Sequence, residues 1–142
     1  MRRCWFSAAL ILCVVLCFVA LVARAQENLV DRDVKALPGR DVPVGTYINL
    51  QADCTAGVLP AIRLVAQPAH GTVAIKRGTL KATNLKQCLA TEVPAFVAYY
   101  RSTVGFSGTD EFVLEVSYPS GYKQTQRFRV NVSNKPNGAQ GI

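Results

Sequence analysis

One histidine, His70, bounds the reactive chemistry of this 142-residue chain. A serine nucleophile needs a base and an acid that orients the base. Ser107 lies in Gly105-Phe106-Ser107-Gly108, which is not a G-x-S-x-G elbow and follows no βα pattern. A glycosidase-like carboxylate pair is conceivable from Asp110 with Glu111 or Glu115, but the two glutamates fall on the wet side of an alternating strand. No His, Cys or carboxylate stands at metal-ligand spacing, and no glycine-rich phosphate loop opens a helix. Asp31, Asp33, Asp53 and Asp110 are isolated or merely close in sequence, whereas calcium needs roughly six to eight converging oxygens. The expectation is therefore no enzyme, no catalytic residue, no cofactor and no metal, with His70 structural or facing solvent.

The five cysteines divide by context. Cys4, Cys13 and Cys17 sit in an apolar N-terminal run, and Cys54 and Cys88 lie beyond it. That run reads as an export signal. Arg2 and Arg3 give the positive start, residues 5–22 are apolar or small, and Ala23-Arg24-Ala25 has the small-x-small form a signal peptidase accepts. Cleavage after Ala25 leaves 117 of the 142 residues, in the periplasm or outside the cell. The 18-residue run also touches the lower limit for spanning a bilayer. An uncleaved signal is thus the route to a membrane that the sequence offers. In an oxidising compartment Cys54 and Cys88 read as one disulfide. A redox pair would need closer spacing or an activating base.

Charge points away from nucleic acid. Without Arg2, Arg3 and Arg24, 13 basic residues face 9 acidic ones, a net charge of +4 against +7 for the whole chain. The cations are scattered, with no like-charge run and no basic stripe interleaved with aromatics.

The elements that must position these residues read as strands, in one domain. Residues 26–41 are polar, charged and without periodicity, and read as an N-terminal lead. Residues 133–142 read as a flexible tail. Between them, residues 42–132 show period-two alternation. Phe112, Leu114, Val116 and Tyr118 share one strand face, and Phe128, Val130 and Val132 share another. Turn residues 119–123 join the two into a hairpin that would set Glu115 opposite Arg127. Ile62, Leu64 and Ala66 alternate with polar neighbours, as do Val73 and Ile75. Residues 95–101 are apolar on both sides, as a central strand is. Residues 47–50 read as a weaker strand. In all, the pattern is a single small antiparallel β-sandwich.

Gly105-Phe106-Ser107-Gly108-Thr109-Asp110-Glu111-Phe112 resembles the G-F-S-G-T-D-x-F signature of bacterial Ig-like, cadherin-like repeat domains. Pro68-Ala69-His70-Gly71-Thr72-Val73 resembles the P-x-H-G-T-V turn of that family, and Tyr100 stands where its strand tyrosine falls. The resemblance covers about residues 42–132 and implies an Ig-like sandwich. The residue types themselves suit a structural job: Phe106 can plug one end, and Thr109 and Asp110 can hydrogen-bond local backbone groups and hold the corner. The resemblance implies no activity, since such domains serve many surface and secreted proteins. The chain departs from the family in having one copy, Ser102 in place of a common Pro, Ala52-Asp53-Cys54 in place of an Asn-Asp pair, and a longer segment over residues 80–94.

That segment, tethered by Cys88, is the candidate recognition loop, with Lys81 and Lys86 favouring an acidic partner. The functional expectation is an exported, non-enzymatic Ig-like module of the bacterial envelope that binds a protein or glycan through loops or a sheet edge. The alternatives are an inhibitor of an envelope or secreted hydrolase and a purely structural subunit. Asn131-Val132-Ser133 fits the N-glycosylation triplet, though the bacterial resemblance argues against its use.

Overall fold

A computed structural model describes residues 28–82, 88–89 and 91–134. Seven strands follow in order: β1 (Leu29–Ala36), β2 (Asp41–Tyr47), β3 (Ala61–Ala66), β4 (Gly71–Lys81), β5 (Glu92–Ser102), β6 (Gly108–Ser117) and β7 (Lys123–Val132). They form a four-stranded sheet, β1-β7-β6-β3, and a three-stranded sheet, β2-β5-β4. The fold is the expected all-β sandwich. Every pairing is antiparallel except β1 with β7, which is parallel and runs from Leu29↔Thr125 to Ala36↔Val132.

The core follows from the alternation. Phe112, Leu114 and Val116 on β6, with Phe128, Val130 and Val132 on β7, are buried against Ala98 and Tyr100 of β5. Three rings carry the packing across the two layers. Tyr100 stacks on Phe112 with centroids 5.8 Å apart, and Phe112 on Phe128 at 4.7 Å. Such pairs contribute about 0.5–1.5 kcal/mol each beyond their buried area.

On the other face of the four-stranded sheet, ion pairs of alternating sign step across all four strands. Asp31 and Asp33 on β1 meet Arg127 and Arg129 on β7 at 3.6 and 3.7 Å. Arg129 also meets Glu111 on β6 at 3.0 Å, and Glu115 on β6 meets Arg63 on β3 at 3.1 Å. Exposed pairs are worth little singly. Together they favour this strand order over one that sets like charges side by side.

Three expectations are corrected here. The N-terminal lead over residues 26–41 contains β1, so the sandwich begins ahead of residue 42. Glu115 stands opposite Thr125, not Arg127, because the β6–β7 turn occupies residues 118–122 and closes on Ser117↔Lys123. Placing it one residue later moves every partner by two. The weaker strand expected over residues 47–50 is β2, which ends at Tyr47 and begins at Asp41. A register shift between Pro43 and Gly45 lets a proline and a glycine sit inside it.

Cys54 and Cys88 form the expected disulfide, with Cα atoms 5.4 Å apart and a separation of 34 in sequence. It ties the β2–β3 connection (residues 48–60) to the β4–β5 connection (residues 82–91). Cys88, Ala82, Val93 and Ala95 are also buried, outside the main core cluster. The β6–β7 turn lies at the disulfide end too, since strand direction alternates along the fold. Residues 37–40, 67–70 and 103–107 form the turns of the opposite end.

Candidate functional site

The residues singled out by the family resemblance converge at that opposite end. Asp110, at the start of β6, is 3 % exposed. Its carboxylate accepts four hydrogen bonds: from the N–H of Ala69 (2.9 Å), His70 (3.0 Å) and Glu111 (3.1 Å), and from the Tyr100 hydroxyl (2.8 Å). One side chain thus fastens the β3–β4 turn and the central strand β5 to β6. A buried carboxylate is tolerated only with such donors around it. Burial first, and then its hydrogen bond to Asp110, push the Tyr100 hydroxyl well above the usual tyrosine range.

The neighbours of Asp110 complete the clasp. The exposed His70 ring stacks on half-buried Phe106, with centroids 4.3 Å apart and planes 14° from parallel. The His70 carbonyl accepts the Thr103 N–H at 2.8 Å. Gly71 has no room for a side chain, because a Cβ there would lie 2.6 Å from the Arg101 carbonyl oxygen and 2.6 Å from the Tyr100 ring. Gly105 turns the chain with φ +81°, and Gly108 has φ +143°. Pro68 leads into the turn. The Ser107 hydroxyl donates to the Val132 carbonyl at 3.2 Å, and the Thr109 hydroxyl donates to Asn131 Oδ1 at 3.0 Å. The expected local corner is therefore a long-range one. Asp110 reaches residues 40 and 41 positions back, and Thr109 reaches β7.

Sequence reasoning missed two further buried polar groups. Ser102 is 3 % exposed, and its Oγ accepts the Gly39 N–H at 3.1 Å, which binds the β1–β2 turn to β5. A proline at this position could not do this. Tyr47 donates its hydroxyl to Gln126 Oε1 at 2.7 Å, between the two sheets. Desolvation pushes its pKa up to about 12, with nearby Arg32 lowering and Tyr118 raising it. The hydrogen bond these buried pairs need is between residues 63 and 79 positions apart, which no local pattern announces. Among the described residues no buried side-chain N or O atom lacks a partner.

The acidic residues weighed for calcium do not converge. Asp31 and Asp33 pair with arginines, Asp110 sits in the clasp, and Asp53 accepts the N–H and hydroxyl of Thr55 at 3.0 and 2.6 Å. Those bonds hold the Asp53 carboxyl below its usual range. Among the described residues no group of three His, Cys, Asp or Glu could hold a metal ion.

The candidate recognition loop lies at the far end from the clasp. Leu80↔Val93 and Lys81↔Glu92 pair, so β4 and β5 extend into the segment and shorten the loop to residues 82–91. Lys81 is the exposed last residue of β4. Lys86 lies outside the described residues. Leu89, beside buried Cys88, is 59 % exposed, and Val58 in the connection tied to it is 76 % exposed. Among the described residues no helix is long and apolar enough to cross a membrane; residues 1–25 lie outside them.

No family model matches the chain, and none of the curated proteins matches it in sequence. The solution structure of amebosin aligns with 77 % of this chain and 100 % of its own, at 8 % identity and a TM-score of 0.38. A likeness that distant carries no argument.

Proposed function

We infer that the chain is a non-enzymatic, exported Ig-like module of the bacterial envelope or secreted fraction that binds a protein or glycan partner. One observation carries this reading. The groups able to do chemistry, His70, Ser107, Tyr100 and Asp110, are occupied in fastening one end of the sandwich, while the other end offers a covalently tethered loop with exposed side chains. Recognition from loops on a rigid scaffold suits such a molecule.

The strand order supports the Ig-like assignment. β2-β5-β4 and β7-β6-β3 follow the B-E-D and G-F-C partition of an Ig sandwich, with the first strand beside the last instead of beside B. The motif residues support the cadherin-like branch, because they assemble into one clasp. Export is supported by the signal-like N-terminus and by a disulfide, which persists in oxidising compartments.

The test is affinity capture from envelope extract on the immobilised mature chain, followed by assays of the captured species. A stoichiometric surface protein or glycan supports the module. A captured hydrolase that loses activity selects the inhibitor reading, to which exposed Leu89 beside a disulfide lends itself. Turnover of any substrate by the chain, abolished in His70→Ala, overturns both.

A further inference from the structure

Among the described residues four strands are sheet edges: β1, β7's partner; β3, β6's partner; and β2 and β4 on either side of β5. Exposed edges invite strand addition, and proteins guard them with bulges, proline, shortness or charge. β2 carries Pro43 and a register shift. β3 has six residues and a shift between Leu64 and Ala66. On β1, Arg32 shares the core-facing register of Val30 and Val34, and both charge signs are present.

β4 differs from all three. It is eleven residues long, and its register with β5 runs unbroken from Gly71↔Ser102 to Lys81↔Glu92. It holds no proline, and the space beside Gly78 is open, with no atom within 4 Å of a built Cβ. Ile75 is 38 % exposed. Its one guard is charge of a single sign: Lys76, Arg77 and Lys81, with no acidic residue on the strand. Lys76 meets Asp41 at 3.7 Å and lies over the Tyr99 ring at 4.9 Å. Arg77 and Lys81 form no ion pair among the described residues, and Lys81 stands opposite Glu92 in the ladder. A bulge or a proline rejects every incoming strand, whereas cations, Lys76 on one face and Arg77 and Lys81 on the other, reject only like-charged ones, a second copy of β4 included.

We propose that the edge of β4, which no described strand occupies, takes an extended acidic segment of another protein by strand addition. This deepens the binding-module reading and rests on it. Backbone hydrogen bonds to β4 supply the affinity, and carboxylates opposite Lys76, Arg77 and Lys81 supply the choice. An added strand also covers Ile75.

The test uses the oxidised mature chain, isotopically labelled, titrated to millimolar concentration with two blocked nine-residue peptides. One repeats Glu-Glu-Val and the other Lys-Lys-Val, so that charge stands on both strand faces, as Lys76 does on one face of β4 and Arg77 and Lys81 on the other. The glutamate peptide is expected to slow amide exchange at alternate β4 residues and to shift resonances of β4 more than those of β1, β2 or β3. The lysine peptide is expected to bind about tenfold more weakly or worse. Lys76→Glu/Arg77→Glu/Lys81→Glu, altered at exposed positions, is expected to reverse that preference. Equal binding of both peptides, a footprint away from β4, or concentration-dependent dimerisation through β4 overturns the proposal. If the peptides fail while Leu89→Ser abolishes capture of the envelope partner, strand addition falls and the module reading stands.

Discussion

Replacing Asp110 by Asn tests whether the motif is a clasp. The carboxylate accepts three backbone N–H groups and one hydroxyl. In Asp110→Asn one oxygen becomes an NH2 group. If Oδ1 keeps the Ala69 and Glu111 donors, the NH2 faces the Tyr100 hydroxyl and the His70 N–H. The hydroxyl can rotate and accept, but the His70 N–H cannot. A hydrogen bond to a charged group is worth about 1.5–3 kcal/mol, and a stranded donor costs about 1–3 kcal/mol. The expected loss is about 3 kcal/mol, partly relieved where water reaches the turn. For a domain of about 100 residues that lowers Tm by about 15 °C. Tyr100→Phe removes one donor and leaves the three N–H bonds, so it should cost about 1–2 kcal/mol. Thermal and urea unfolding followed by circular dichroism measure both. Asp110→Asn within 0.5 kcal/mol of the parent, or no worse than Tyr100→Phe, would refute the clasp.

Further outcomes follow from the same geometry. Cys54→Ser/Cys88→Ser should lose about 3.8 kcal/mol, the closure entropy for a separation of 34 residues; urea unfolding reads it, and an unchanged midpoint contradicts it. Gly71→Ala should cost about 2 kcal/mol or more, because its Cβ meets backbone and a buried ring that cannot move aside; chemical denaturation checks this. Tyr47, with a pKa pushed from 10.0 to about 12, should make the fold labile to alkali. Between those values the folded state holds the proton that the unfolded chain has lost, so stability is intact below pH 10 and falls through about pH 12, by roughly 2–3 kcal/mol. Unfolding at pH 9 to 12 should show that fall in the parent, and a shallower one in Tyr47→Phe.

The parts of the fold legible in the sequence are those with two-faced alternation. β6 and β7 bury every second residue, so their pattern is unambiguous. β1 buries Ala36 fully and Val30 and Val34 only in part, and four of its eight residues are charged. Read alone it resembles a solvated lead, and it becomes a strand because β7 offers it a parallel edge and paired arginines. The hairpin register failed for a smaller reason: five turn-forming residues allow a loop at 118–122 or at 119–123, and only packing decides. For Asp110 the residue type and the nearby turn were visible in the motif, but its partners on the β3–β4 turn and β5 are brought to it by the sandwich. The role proposed for β4 is the least legible. Lys76, Arg77 and Lys81 are unremarkable as a sequence, and it is the topology that leaves them on an edge with neither bulge nor proline.

The most direct test of the whole account is site-specific photo-crosslinking in cells that express the protein at native level. A photoreactive residue at Lys81 or Leu89 should trap one partner in the envelope fraction, and the same group at Arg63, on the charged sheet face, or at Thr103, beside the clasp, should trap none. Crosslinks that arise from Arg63 or Thr103 and are missing from Lys81 and Leu89 would contradict a module that recognises its partner with β4 and the tethered loop.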